Sequence, residues 1–240
     1  MTPFEPSAPH RIYAVGDIHG RADLLDQLLR RVLADCGADA QGVPIVFLGD
    51  YVDRGLQSRE TIERLLQVSR DERFAARFLR GNHEAAMLDF LNRPEGGAAW
   101  LAYGGAETLY SYGVKAPALG ANADHMHRAA EKLREKLPLA HMDFLTHLEL
   151  WVQHERYVFV HAGLRPGRAL EAQQEQDMLT IRDSFIKSRR KWPFVVVHGH
   201  TPGEEVFVDK RRICVDTGAY VTGKLSAVRL EGADVRILST

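Results

Sequence analysis

The chain has 240 residues, with 31 Lys+Arg against 32 Asp+Glu and 45% hydrophobic residues. That length suits one compact domain with at most a small cap, and the near-zero net charge argues against a basic nucleic-acid binder or an acidic tail. Two cysteines, Cys36 and Cys214, cannot form a disulfide framework, which suits a reducing cytoplasm, and no apolar run is long enough to span a bilayer.

In chain order, residues 1–10 hold three prolines and no apolar core, so a flexible N-terminal arm is expected, not a signal peptide. A single domain should then run over 11–240. Ile12–Val15 is a short β-prone run ending in Gly-Asp. Leu24, Leu25, Leu28, Leu29, Val32 and Leu33 fall at helical spacing over 21–33. A second strand, Ile45–Leu48, again runs into Gly-Asp. Ser58 is placed to cap a helix reaching about Val68. Phe74–Leu79 reads as a third strand entering Gly81-Asn82. Strand and helix alternate, and polar residues follow the strand ends, which is where α/β proteins build their sites.

From about 91 to 148 the pattern is helical, broken by Pro94-Glu95-Gly96-Gly97 and Gly104-Gly105. This stretch reads as an insert that shapes one wall of a cleft and sets substrate choice without entering the chemistry. Strands dominate from Leu150 onward: Trp151–Gln153, Arg156–Val160, Phe194–His198, Val206–Val208, Ile213–Val215 and Lys224–Arg229, with one helix over about Gln173–Ser184. The expected fold is α/β, with two sheets packed face to face and helices outside.

Five segments concentrate metal-compatible side chains at strand ends: Gly16-Asp17-Ile18-His19-Gly20, Gly49-Asp50-Tyr51-Val52-Asp53-Arg54-Gly55, Gly81-Asn82-His83-Glu84, His161-Ala162-Gly163 and His198-Gly199-His200-Thr201. A lone His after a strand is commonly a hydrogen-bonded core residue. Five such segments are not explained by folding, because buried Asp and His are costly unless paired or bound to a metal. Carboxylate, imidazole and amide oxygen suit Mn, Fe or Zn better than a soft metal. Two such ions about 3.5–4 Å apart can clamp a phosphoryl group and activate water.

Together these segments resemble the signature of the PPP family of metallophosphoesterases, and in particular the short bacterial and bacteriophage-type serine/threonine protein phosphatases, over roughly residues 11–229. The resemblance implies a four-layer sandwich of two mixed sheets flanked by helices, two divalent metal ions with manganese first and Fe, Zn or Mg as alternatives, and a phosphorylated protein or peptide as substrate. No nucleic-acid or membrane partner is implied, and oligomeric state stays open. Asp17 and His19 would hold the first ion, Asp50 would bridge both, and Asn82, His161 and His200 would hold the second. His83 would be the general acid, oriented by Asp53, and Arg54 would grip the phosphate. By family pattern Arg182 is the candidate for a second phosphate arginine, with Arg165 its competitor. The implied reaction is direct attack on phosphorus by a metal-bridging hydroxide.

Pro202 follows Gly199-His200-Thr201 where the wider superfamily often has a further histidine, which favours the PPP branch and leaves His198 outside the site. Symmetrical dinucleoside tetraphosphate hydrolases share much of the signature but usually vary the first motif, so they stand as the alternative, with a broad small-molecule phosphatase beside them. An inactive phosphoprotein-binding scaffold would be expected to have lost a ligand or the acid, and none is lost.

Overall fold

The computed structural model describes residues 11–37, 40–118 and 120–240; the N-terminal arm expected over 1–10 lies outside them. The first half alternates β1 (Arg11–Val15), α1 (Ala22–Cys36), β2 (Val43–Phe47), α2 (Ser58–Val68), β3 (Phe74–Phe78) and α3 (Asn82–Asn92). The helical stretch follows as α4 (Ala98–Trp100), a π-helical turn (Leu101–Gly105), α5 (Ala106–Ser111), α6 (Ala123–Lys136) and α7 (Leu139–Thr146). Then come β4 (Trp151–His154), β5 (Tyr157–Val160), α8 (Glu175–Thr180), α9 (Asp183–Ile186), β6 (Val195–His198), β7 (Phe207–Val208), β8 (Arg212–Cys214), α10 (Ala219–Thr222), β9 (Ser226–Glu231) and β10 (Asp234–Ser239).

The strands form two five-stranded sheets, ordered β10-β9-β1-β2-β3 and β4-β5-β6-β8-β7. Each holds three parallel strands: β1, β2 and β3 in the first, β5, β6 and β8 at the centre of the second. In the first sheet the antiparallel strands β9 and β10 lie on the β1 side only and β3 is an edge; in the second, β4 and β7 lie antiparallel on the two sides. Parallel strands are covered on both faces and so read as nearly continuous apolar runs; β2, Val-Pro-Ile-Val-Phe, is buried throughout.

Period-two alternation sorts the side chains into layers. Ile12, Ala14, Val46 and Leu48 of the first sheet share a core with Phe159, Val195, Val197 and Ile213 of the second. On the first sheet's other face, Tyr13, Val15, Ile45 and Phe47 join Leu25, Leu28 and Ile62 of α1 and α2. On the second sheet's outer face, Val158, Val160 and Val196 meet Met178, Ile181 and Phe185. The expected four layers are therefore present.

Three local expectations change. Ser58 does not cap α2, whose N-cap position is Gln57; the Ser58 hydroxyl accepts the Asp53 N–H instead, at 3.0 Å. The expected helix over 173–184 splits into α8 and α9, because Arg182 lies outside helical backbone at φ −129°, ψ −102°. Sequence periodicity also missed β10, a partly exposed edge strand reached through a turn at Gly232 with φ 59°. Among the described residues no helix is long and apolar enough to cross a membrane.

A candidate metal centre at the strand ends

Parallel strands deliver their carboxyl ends to one edge of the sandwich. Asp17 and His19 follow β1, Asp50 follows β2, Asn82 and His83 open α3 just past β3, His161 follows β5, and His200 follows β6. The connecting backbone is strained where it turns into the site. His19, Asp50, Asp53, Arg54 and His200 all take positive φ, between 47° and 71°. Non-glycine residues adopt this left-handed region rarely, and it clusters at functional positions. Gly81 and Gly199 are required by close approach: a Cβ on the first would run into Asp50 Oδ1, and on the second into Asp17 Oδ1.

Glu84 stabilises the turn. It is fully buried, and its carboxylate accepts N–H groups from Asp50 at 2.9 Å, Tyr51 at 2.7 Å, Val52 at 3.2 Å and Gly81 at 2.9 Å. Four loop donors thus find partners where water is excluded. Burial and the nearby Asp50 charge push the Glu84 carboxyl up to about 7.

Asp50 is the hub. Its Oδ2 lies 3.4 Å from His161 Nε2, 3.6 Å from His19 Nε2 and 3.9 Å from His83 Nε2. Two sets of donor atoms come close enough to share an ion, His19–Asp50–His83 and Asp50–His161–His200. His161 Nδ1 faces the Leu48 carbonyl at 2.8 Å and His19 Nδ1 the Val52 carbonyl at 2.9 Å. A carbonyl only accepts, so each Nδ1 carries a proton and each Nε2 can offer its lone pair to an ion. Asn82 Oδ1 adds a further acceptor 3.0 Å from His161 Nε2. Burial lowers His19 and His200 to about 3, and neutral imidazole is the form that binds metals. Against the cost of burial, the Asp50 charge holds His161 above its ordinary value; a divalent cation would satisfy the same acceptors. This donor set fits a pair of divalent ions.

Asp17 joins neither close set. Its carboxylate accepts the His200 N–H at 3.1 Å. Burial first, then the charges of Asp216 and Asp50, hold Asp17 well above the usual carboxylate range. Such a cluster of buried acids favours a cation nearby. Asp216 itself is nine-tenths or more buried by exposure, accepts the Gly218 N–H at 2.9 Å, and is raised by burial. No motif marks it in the sequence.

His83 stands in the first set, yet its surroundings differ from those of a ligand. Nδ1 is 2.6 Å from Asp53 Oδ2, and Nε2 is 3.3 Å from Arg54 Nη2. A guanidinium can only donate, so this contact suits a neutral imidazole; a phosphate drawing Arg54 to itself would leave Nε2 free. Asp53 is completely buried. Burial raises its pKa, opposed by bonds from His83, Thr108 and Trp100. The last two were not legible: Trp100 Nε1 donates to Asp53 Oδ2 at 2.9 Å, and Thr108 Oγ1 donates to Asp53 Oδ1 at 2.6 Å.

A cavity of about 350 Å³ opens beside these groups, lined by Arg54, Asn82, His83, Trp100, Tyr103 and Arg182 among others. Arg54 stacks over the Tyr220 ring, 4.5 Å from its centroid. Arg182 Nε lies 3.1 Å from His200 Nε2. Arg165 is not in the cavity lining; Asp177 holds its guanidinium through two contacts, one of them Nε to Oδ2 at 2.8 Å. His198 also stays apart, with Nδ1 on the Gly199 carbonyl.

This arrangement of strand-end histidines and carboxylates around two arginines agrees with the family match: residues 10–237 match the calcineurin-like phosphoesterases. The chain belongs to that family. An asymmetrical bis(5'-nucleosyl)-tetraphosphatase, PrpE, of Geobacillus sp. is 27% identical over 239 residues, covering 91% of this chain and 90% of that protein. The serine/threonine-protein phosphatase BSL2 of Arabidopsis thaliana is 37% identical over 91 residues, covering 38% of this chain and 9% of that protein. A crystal structure of a candidate diadenosine tetraphosphatase shares the fold, with a TM-score of 0.67, 22% identity, and coverage of 98% of this chain and 95% of that chain. The Geobacillus relative is a tetraphosphatase of the asymmetrical kind, whereas the alternative read from the sequence is the symmetrical kind.

Proposed function

We propose that this calcineurin-like phosphoesterase hydrolyses phosphate monoesters of serine and threonine in proteins. One observation carries the reading: the His83–Asp53 pair, 2.6 Å apart, beside the cavity with Arg54 and Arg182. A positioned acid matters most when the leaving oxygen is strongly basic. The alkoxide of serine or threonine is such a group. A nucleotide phosphate leaving from an anhydride is far less basic and gains less from a proton.

Asp17, His19 and Asp50 would hold one divalent ion, and Asp50, Asn82, His161 and His200 the other. When bound, such ions neutralise phosphoryl charge and activate water for attack. Arg54 and Arg182 offer planar forks of donors to the phosphoryl oxygens and fix the ester in line. Water attacks phosphorus as the ester P–O bond breaks. His83 Nε2 gives its proton to the departing oxygen, and Asp53 holds the Nδ1–H so that Nε2 points at that oxygen. One water proton stays on the phosphate formed, the other leaves to solvent, and solvent returns a proton to His83 Nε2.

A second reading, asymmetrical hydrolysis of dinucleoside tetraphosphates, is favoured by the similarity to PrpE along nearly the whole of both chains. A panel of manganese-loaded protein against phosphoserine peptide, phosphotyrosine peptide and diadenosine tetraphosphate separates the two. The first reading expects the highest kcat/KM on phosphoserine peptide. Inert peptides together with release of ATP and AMP from the dinucleotide would replace it with the second. Tight binding of phosphopeptide with no turnover of any substrate would leave only a scaffold.

A further inference from the structure

The helical insert reaches the general acid through two buried hydrogen bonds. Trp100 is the last residue of α4 and Thr108 lies in α5, on either side of the π-helical turn Leu101–Gly105. Both side chains end on the Asp53 carboxylate, Trp100 Nε1–H on Oδ2 at 2.9 Å and Thr108 Oγ1–H on Oδ1 at 2.6 Å. His83 occupies the same Oδ2 at 2.6 Å. The accounting at Thr108 is complete. Its hydroxyl has one proton, given to Asp53, and two lone pairs, which take the Asp53 N–H at 2.9 Å and the Ser58 hydroxyl at 3.0 Å. Thr108 thus grips both the backbone and the carboxylate of Asp53, and Trp100 fixes the carboxylate's rotation.

The rest of the turn braces the neighbouring residue. The Gly104 carbonyl accepts the Arg54 N–H at 3.2 Å, and a Cβ on Gly104 would strike the Arg54 backbone. Trp100 is itself wedged between Phe90, 4.7 Å away by ring centroid, and Gly105, where a Cβ would meet the indole. The indole N–H of Trp100 and the hydroxyl of Thr108 are both committed to Asp53, so neither is left to hold an ion. Folding alone needs a packed aromatic and a small residue here. It does not need two donors converging on a buried carboxylate whose remaining partner is the histidine of the cavity.

We infer that Trp100 and Thr108 are positioning residues for the general acid, so that the insert takes part in the chemistry by fixing the angle at which His83 meets the leaving oxygen. The inference rests on the reading of His83 as the acid. It changes the expectation that the insert governs substrate choice alone.

The test compares phenyl phosphate, whose leaving oxygen needs a proton, with p-nitrophenyl phosphate, whose does not, in the full-length manganese-loaded protein. Trp100→Phe and Thr108→Val should each lower kcat/KM on phenyl phosphate about tenfold, a fraction of the whole acid effect, through kcat and not KM. Loss on p-nitrophenyl phosphate should stay within about twofold. Thr108→Ser keeps the hydroxyl and should restore the rate on phenyl phosphate. In a His83→Asn background neither substitution should add selective loss, since residues acting as a unit are not additive. In metal-free protein, the downfield proton signal of the His83 Nδ1–H should shift in Trp100→Phe and Thr108→Val but not in Thr108→Ser.

Equal losses on both substrates, or an unmoved His83 signal, would make the two residues merely structural and overturn the inference. Should Thr108→Val fail to fold, Trp100→Phe and Thr108→Ser decide the matter alone. If His83→Asn itself showed no leaving-group selectivity, the acid reading would fall and take this inference with it. If His83→Asn were selective and Trp100→Phe were not, only the positioning role would fall.

Discussion

The two nitrogens of His83 face unlike partners, and this asymmetry sets its chemistry. Nδ1 is tied to a buried carboxylate, whereas Nε2 looks into the cavity beside an arginine. Burial alone would strip the ring of its proton, but the Asp50 charge and the Asp53 hydrogen bond outweigh it and raise the pKa to about 9. Bound cations would draw off the Asp50 contribution and leave the Asp53 bond. With a basic leaving group, kcat should therefore fall as pH rises through a value between about 6.5, the ordinary imidazole pKa, and about 9. The acid is present below that value and lost above it. His83→Asn should remove this limb, slow phosphoserine peptide hydrolysis by about 10²–10⁴-fold, and spare p-nitrophenyl phosphate. Metal content by elemental analysis should stay near that of the wild type. A parallel loss of metal would make His83 a ligand of the His19–Asp50 set.

At the scale of elements, what could be read in the sequence was what is contiguous. The five segments are short, each sits at the end of an apolar strand, and each carries a glycine within two residues of its ligand-type residue; strand order places Asp17 and His19 near Asp50 and His161 near His200, and the packing of the two sheets brings the two groups together. Trp100 and Thr108 escaped because their partner Asp53 lies 47 and 55 residues away, and an isolated Trp or Thr in a helical stretch has no local signature of its role. Ser58 misled for a related reason: a hydroxyl before a helix has two possible uses, and the Asp53 N–H claimed it. The break between α8 and α9 was hidden by the helix-compatible residues on both sides of Arg182, yet it is this break that turns Arg182 from a helix-surface residue into one that reaches His200. The two arginines should therefore separate cleanly. Arg182→Ala should lower kcat/KM on a phosphomonoester by about 10–100-fold, the size expected for a lost charged hydrogen bond. Arg165→Ala, whose guanidinium is already taken by Asp177, should stay within about twofold. Steady-state kinetics on the two variants checks this, and a larger loss at Arg165 would reverse their roles.

At the scale of the whole molecule, the candidate site lies where the two sheets meet. Asp17, His19, Asp50 and Asn82 come from connections of the first sheet, His161 and His200 from the second. The apolar core between the sheets joins them through non-directional contacts, whereas ions held by residues of both would join them at fixed points. The same edge carries an electrostatic cost, since burial and the charge of Asp50 both raise Asp17, Glu84 and Asp216. Cations bind only the arrangement that the folded chain supplies, so they stabilise it by mass action. With free manganese at about 100 times the Kd of a site, the gain is about 2.7 kcal/mol for each ion bound, or roughly 5–10 °C in Tm per ion for a chain of this size. Chelation should lower the Tm by that amount for each ion removed, reversibly, in differential scanning fluorimetry. Asp50→Asn removes the charge common to both donor sets and should abolish the manganese shift. Its metal-free Tm should be lower than that of the metal-free wild type, because, against the cost of burial, the charges of His161, His83 and His19 hold the Asp50 carboxyl well below the usual carboxylate range, and that pairing is lost. A wild-type Tm indifferent to chelation, or a full manganese shift in Asp50→Asn, would show that ions do not bridge the sheets through this residue.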